Sequence, residues 1–229
     1  PSHQFPTGIV MPIARRRALL NWAEESRDRY IIESDYDSEF RFSGNPIPAC
    51  QGLDTSGKVI YLNTFTKTLA PSLRISYLVL PPDLLAVYQE KFKDYSCTVP
   101  NFEQYILSEF IKGGYFERHL HRMSKIYRQK RDTLIDLIKN SPLKDKIEFL
   151  GSNAGLHLLL QVDLGLSEKE LIALAAENSV RVYGLSEYYY DKSLGDRYDK
   201  HIIIGYSGLS LEDIQAGGQL LTEAWLKGK

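Results

Sequence analysis

The sequence predicts an α/β layer fold followed by a smaller α+β unit. Two observations predict it. Through the first half, short apolar runs alternate with segments whose apolar residues recur at helical spacing. After Pro142 the pattern changes to shorter strand-like runs around a capped helix. The chain has 229 residues, 43% hydrophobic and 25% charged, which is enough for one large core or two modest ones.

Each element follows from its local pattern. Ala14 to Glu25 reads as a helix with Ala18, Leu19 and Trp22 on one face. Tyr30 to Ser34, Val59 to Asn63 and Ile75 to Leu80 read as buried strands, the last stopped by Pro81 and Pro82. Asp83 is expected to cap a helix through Lys93, and Asn101 a second one ending at Gly113 and Gly114. A long helix, Tyr115 to Asn140, carries Phe116, Leu120, Met123, Tyr127, Leu134 and Ile138 on one stripe. Leu156 to Val162 is a strand, and Ser167 opens a helix through an S-x-x-E box reaching Glu170. Val180 to Tyr183 and His201 to Ile204 are short strands, and Ser210 to Trp225 is a closing helix. The domain boundary is expected within the long helix, giving residues 1–120 and 121–229.

Charge and cysteine usage exclude several classes. A net charge of −1 gives the whole chain no bulk attraction to nucleic acid or anionic membrane. No apolar run approaches the roughly 20 residues that span a bilayer. Cys50 and Cys97 stand far apart with no C-x-x-C pair, so neither a zinc site nor a disulfide framework is expected, and a reducing cytoplasm is the natural compartment. The chain opens on Pro1 inside what reads as a motif, as a fragment of a longer protein would.

The informative segment runs from Asn63 to Arg74. Lys67 follows a buried strand, flanked by Thr64, Thr66 and Thr68, with Arg74 seven residues on. Ligands of open α/β sheets gather at strand ends. A lysine shielded from water there can lose its proton and condense with an aldehyde. The hydroxyls and the guanidinium offer donors for a phosphate. A solvated turn lysine beside hydroxyl residues satisfies the spacing equally well.

Thr64 to Leu69 and Pro71 to Arg74 resemble the cofactor-lysine motif of fold-type I pyridoxal phosphate enzymes. The likeness is greatest to the aminotransferase-like domain of MocR/GabR-type bacterial regulators. Pro1 to Gly8 with Met11 and Pro12, Tyr30 to Arg41, and Gly155 to Leu158 resemble further family segments in order and spacing. The resemblance implies part of a fold-type I large domain plus a smaller α+β C-terminal domain. It implies that Lys67 carries the cofactor aldimine, that Thr64, Thr66 and Arg74 hold the phosphate, and that Tyr36 bonds the ring's phenolic oxygen. Phe5, where metabolic aminotransferases carry asparagine, favours the regulators. The resemblance also implies a homodimer, an amine or amino-acid-like effector, and DNA contact through an N-terminal winged helix-turn-helix preceding Pro1.

Two positions depart from the family pattern. Ser34 stands where an aspartate usually pairs with the pyridine nitrogen and sustains the ring as an electron sink. Asp35 cannot substitute, because alternation along a strand turns it to the face opposite Ser34 and Tyr36. Gly208 stands where an arginine usually clamps a substrate carboxylate. Both departures favour a sensor over an efficient transaminase.

Other signals read as structural. Glu33, Asp35, Asp37 and Glu39 alternate and are expected to pair with arginines such as Arg41. As an EF-hand loop the run fails, with Phe40 at the glycine and Pro46 at the bidentate glutamate. The basic residues of the long helix, Arg118 to Arg131, are read as a solvated face, and His157 as a packed strand residue. Tyr188 to Tyr190 form a loop that either covers a ligand or packs by its own aromatics.

Overall fold

The computed structural model describes residues 1–45, 47–191 and 200–228, so Pro46 lies outside the described residues. The chain divides into two compact units within its longest helix.

The first unit comprises Pro1–Ser2, Val10–Glu39 and Asn45–Met123. Its elements are α1 (Ile13–Glu24), β1 (Ile31–Ser34), α2 (Cys50–Leu53), β2 (Val59–Thr64), α3 (Phe65–Thr68), β3 (Ser76–Val79), α4 (Pro82–Phe92), α5 (Asn101–Lys112) and the start of α6 (Tyr115–Lys139). The sheet has the order β1-β2-β3, with β1 and β2 parallel and β3 antiparallel to β2. Leu20, Cys50 and Val59 form the buried cluster on one sheet face, with Ile31 and Leu53 packed against it. The buried Arg16 spends its guanidinium on the carbonyls of Pro1, Met11 and Pro48. Such full pairing is what allows a charged group to be buried.

Two expected caps are corrected. Helix α4 begins at Pro82 after Pro81, and α5 begins at Asn101 after Pro100, neither with a side-chain cap. In α4, proline at the first helical position removes an amide that would have no partner, so a side-chain acceptor is less needed. In α5, Asn101 is already the first helical residue and Pro100 holds the cap position, where it has no side-chain acceptor to offer. Asp83 instead lies in the first turn of α4, where its charge suits the helix dipole.

The second unit comprises His3–Ile9, Phe40–Gly44 and Ser124–Lys229, described as far as residue 228. After α6 come β4 (Ile147–Leu150), β5 (His157–Val162), α7 (Glu168–Glu177), β6 (Tyr183–Gly184), a 3-10 turn at Leu185–Tyr188, β7 (His201–Gly205) and α8 (Leu211–Lys227). The sheet is antiparallel in the order β4-β5-β7-β6. The pattern did not foretell β4, and β6 pairs later than the Val180 to Tyr183 run suggests. Reciprocal capping boxes open α7 (Ser167 with Glu170) and α8 (Ser210 with Asp213). Trp225, fully buried, donates its indole N–H to the Leu171 carbonyl at 3.0 Å and fastens α8 to α7. Gly8 and Gly151 approach so closely that a Cβ on Gly8 would stand 2.7 Å from the Gly151 Cα.

Within that second unit, Arg131 donates to Asp132 and to the Ser152 carbonyl and lies over the Phe42 ring, while Lys130 donates to the Ser207 carbonyl. These basic side chains of α6 fasten the fold. The helix is not long and apolar enough to cross a membrane, nor is any other described helix.

Candidate functional site

The site is built where the two parallel strands end. Ser34 pairs with Leu62 across β1 and β2, and the Asp35 amide donates to the Leu62 carbonyl at 2.9 Å. Strand β2 runs directly into α3, so Ser34, Tyr36 and Lys67 all issue from the C-terminal edge of the parallel pair. That edge is where open α/β sheets collect ligands.

The turn bearing Lys67 is fixed by its own hydroxyls. Thr64 caps α3 by accepting the Thr66 amide at 3.2 Å. The Thr64 hydroxyl lies 3.0 Å from the Ile75 carbonyl and 3.0 Å from the Thr66 hydroxyl, and the Thr66 hydroxyl donates to the Leu73 carbonyl at 2.7 Å. From α6, His119 Nε2 lies 3.0 Å from the Thr68 carbonyl. The two threonines expected at a phosphate therefore have their donors committed to the turn that joins Lys67 to Arg74. A hydroxyl has one proton to donate, and sequence spacing does not show where it goes.

Ser34 Oγ, Tyr36 Oη, Lys67 Nζ and the Arg74 guanidinium have no protein partner among the described residues. Ser34, Lys67 and Arg74 are exposed and Tyr36 is half-buried. Burial, reinforced by Asp37, pushes the Tyr36 phenol up to about 12, so it remains a donor at neutral pH. The expectation of a dry lysine is not met by the described residues. Ile32 and Leu78 explain why: they share the sheet face of Ser34 by strand register, yet are 68% and 48% exposed. The face carrying the site is open to solvent, whereas the opposite one bears the core.

On that opposite face the acids of β1 and the segment after it are engaged. Glu33 accepts the amides of Cys50 and Gln51 at 2.7 and 2.9 Å. Asp35 accepts the hydroxyls of Ser38 at 2.9 Å and Tyr61 at 3.0 Å. Glu39 accepts from Asn63 at 3.3 Å, and burial pushes its carboxyl above the usual range. For Glu33, Asp35 and Glu39 these partners are amides and hydroxyls where arginines were expected. Asp35 is buried beside the exposed Ser34, as alternation along a strand requires. The sequence reading gave no role at the site to Tyr61, Asn63 or His119. Asn63 had left a signal, a polar amide at a buried strand position, whereas His119 had left none.

In the second unit, Gly208 is exposed, and no atom of the described residues lies within 4 Å of where a side chain would begin. His157, buried, lies 3.1 Å from the Pro6 carbonyl through Nε2, as a packed strand residue should. Phe5 meets His157 and Tyr188 edge-on, with ring centres 5.2 and 5.0 Å apart.

The family model for aminotransferase class I and II matches residues 2–196. The chain is 45% identical to the uncharacterized HTH-type transcriptional regulator YhdI of Bacillus subtilis over 98% of its own length and 47% of that protein's. It is 35% identical to the probable rhizopine catabolism regulatory protein MocR of Rhizobium meliloti, over 99% of the chain and 45% of the relative. Its fold matches the kynurenine aminotransferase of Pyrococcus horikoshii at a TM-score of 0.83 and 27% identity, covering 100% of this chain and 55% of that one. The chain thus spans about half the length of the relatives it matches.

The family implies pyridoxal phosphate, and the donor set fits that group. The free groups are a primary amine for an aldehyde, a guanidinium for a phosphate and a protonated phenol for a ring oxygen. Fold, site chemistry and sequence agree that the chain belongs to the aminotransferase class I and II family and adopts the fold-type I architecture of its pyridoxal phosphate enzymes.

Proposed function

We propose that this chain is the effector-sensing, pyridoxal phosphate-binding part of a bacterial transcription regulator. Lys67 would hold the cofactor through its amine, Arg74 would pair with the phosphate, and Tyr36 would donate to the phenolic oxygen. Thr64 and Thr66 would keep the amine and the guanidinium on one rigid turn. When bound, the cofactor supplies electron withdrawal from the carbon bearing a ligand's amine.

The observation that carries the sensor reading is Ser34. It occupies the sheet face of the site, while the adjacent carboxylate, Asp35, is buried on the other face and held by Tyr61 and Ser38. Among the described residues of β1, β2 and β3, no acid shares the sheet face of Ser34 to keep a ring nitrogen protonated, so binding an amine is favoured over completing its chemistry. Gly208 adds to this, since it offers no charge to an amino acid's carboxylate. The effector would be an amine or amino-acid-like molecule. DNA contact would belong to a winged helix-turn-helix elsewhere in the protein, which would work as a cytoplasmic homodimer. The similarity to helix-turn-helix regulators supports this reading.

The test is a single-turnover assay on the full-length protein loaded with pyridoxal phosphate. A sensor converts common amino acids to oxo acids slowly or not at all. The rival reading, an aminotransferase with altered substrate contacts, is supported by the likeness to solved aminotransferases. Rapid conversion to pyridoxamine phosphate would establish that rival.

A further inference from the structure

Beneath the open face of the first unit lies a run of hydrogen bonds that all point one way. The Thr64 amide donates to Asn63 Oδ1 at 2.6 Å. Asn63 Nδ2 donates to the Tyr61 hydroxyl at 3.0 Å, and that hydroxyl donates to Asp35 Oδ2 at 3.0 Å. The run starts at the cap of the helix bearing Lys67 and ends on the residue between Ser34 and Tyr36. Asn63 and Asp35 are both buried. Asn63 uses its whole amide: the oxygen on Thr64, the nitrogen on Tyr61 and Glu39. A chain of aligned donors ending on a carboxylate strengthens each of its members.

We infer that Asn63, Tyr61 and Asp35 are positioning residues that set the distance and orientation of Lys67 relative to Ser34 and Tyr36. This rests on the cofactor reading above. The β1–β2 ladder ends at the Ser34–Leu62 pair and the bond from the Asp35 amide to the Leu62 carbonyl, while β2 continues to Thr64 beside β3. Past that last pair the two functional segments have no further backbone pairing with each other. The Tyr61 hydroxyl, from inside the ladder, reaches Asp35 just past its end, and Asn63 carries the run on to the Thr64 amide. It also explains why Asp35 does not serve the ring: its carboxylate is the terminus on which the run depends.

The test uses full-length protein and two readouts. The first is the pH midpoint of the visible absorbance of bound pyridoxal phosphate, which reports the surroundings of the Lys67 nitrogen. The second, on cofactor-free protein, is hydrogen exchange of the segment from Thr64 to Thr68. Asn63→Leu and Tyr61→Phe should shift the midpoint by about one pH unit. They should speed exchange by roughly tenfold. Asn63→Asp, which keeps the acceptor for the Thr64 amide, should retain slow exchange yet shift the midpoint. Leu20→Ala, which weakens the same unit from its core, should leave the midpoint unchanged. An unmoved midpoint in Asn63→Leu, or an equal shift in Leu20→Ala, overturns the inference. If the wild type shows no visible band, the cofactor reading fails instead. Exchange then decides alone, and unchanged exchange in Asn63→Leu rejects the positioning role.

Discussion

The Thr66 hydroxyl donates to the Leu73 carbonyl at 2.7 Å and closes the turn that presents Lys67 at one end and Arg74 at the other. A cofactor held by an amine and a phosphate partner needs that span fixed before it binds, because ordering two long side chains costs affinity. Thr66→Val should lose about 1 kcal/mol of stability. It should also weaken pyridoxal phosphate binding, while Thr66→Ser should preserve both. Urea unfolding and a cofactor titration check this, and unchanged affinity in Thr66→Val would show that the turn is set by other bonds.

Restoring the missing charges should move the protein toward catalysis. Ser34→Asp would place a carboxylate on the site face and is expected to raise any slow transamination. No increase would count against Ser34 facing the ring. Gly208→Arg meets no atom of the described residues at its Cβ, so it should leave stability within about 0.5 kcal/mol. It should raise affinity for amino acids over amines lacking a carboxylate, as measured by calorimetry.

The capping boxes at Ser167 and Ser210 show where sequence is most legible. Each is completed within a single turn of helix, so local spacing contains the whole interaction. The strands on either side of Lys67 were legible from their own short runs, whereas the four-residue α3 that carries Lys67 was not foretold. The fate of the threonine hydroxyls was not, because their acceptors at Leu73 and Ile75 depend on how the chain doubles back. Nor was the contact of His119 with the Thr68 carbonyl, 51 positions away.

Ser179 is the one described residue other than glycine with a positive φ, 61°, just past the end of α7. Its amide and that of Val180 close the helix on the carbonyls of Ala176 and Ala175. The left-handed conformation costs a side-chain-bearing residue about 1 kcal/mol, which glycine avoids. Ser179→Gly should therefore raise stability by up to about that amount in urea unfolding. A β-branched Ser179→Val should lower it. Equal stabilities for the two would contradict the strain.

Glu39 should leave a signature in the pH dependence of stability. Burial, followed by the nearby Asp35 and Asp37, raises its carboxyl above the ordinary 4.5, against the hydrogen bond from Asn63. The folded state thus holds this proton more tightly than the unfolded chain. Its contribution is fully present below pH 4.5 and fades as pH rises through the raised value. Glu39→Gln should flatten that decline and gain relative stability at neutral pH. A variant whose stability falls as steeply as the wild type over that window would refute the assignment.

Absorbance reads out whether Lys67 binds pyridoxal phosphate. Full-length wild-type protein mixed with the cofactor should develop a visible band that persists through gel filtration. Lys67→Ala, folded to the same extent by circular dichroism, should show none. A band of equal strength in Lys67→Ala, or none in the wild type, would contradict the account.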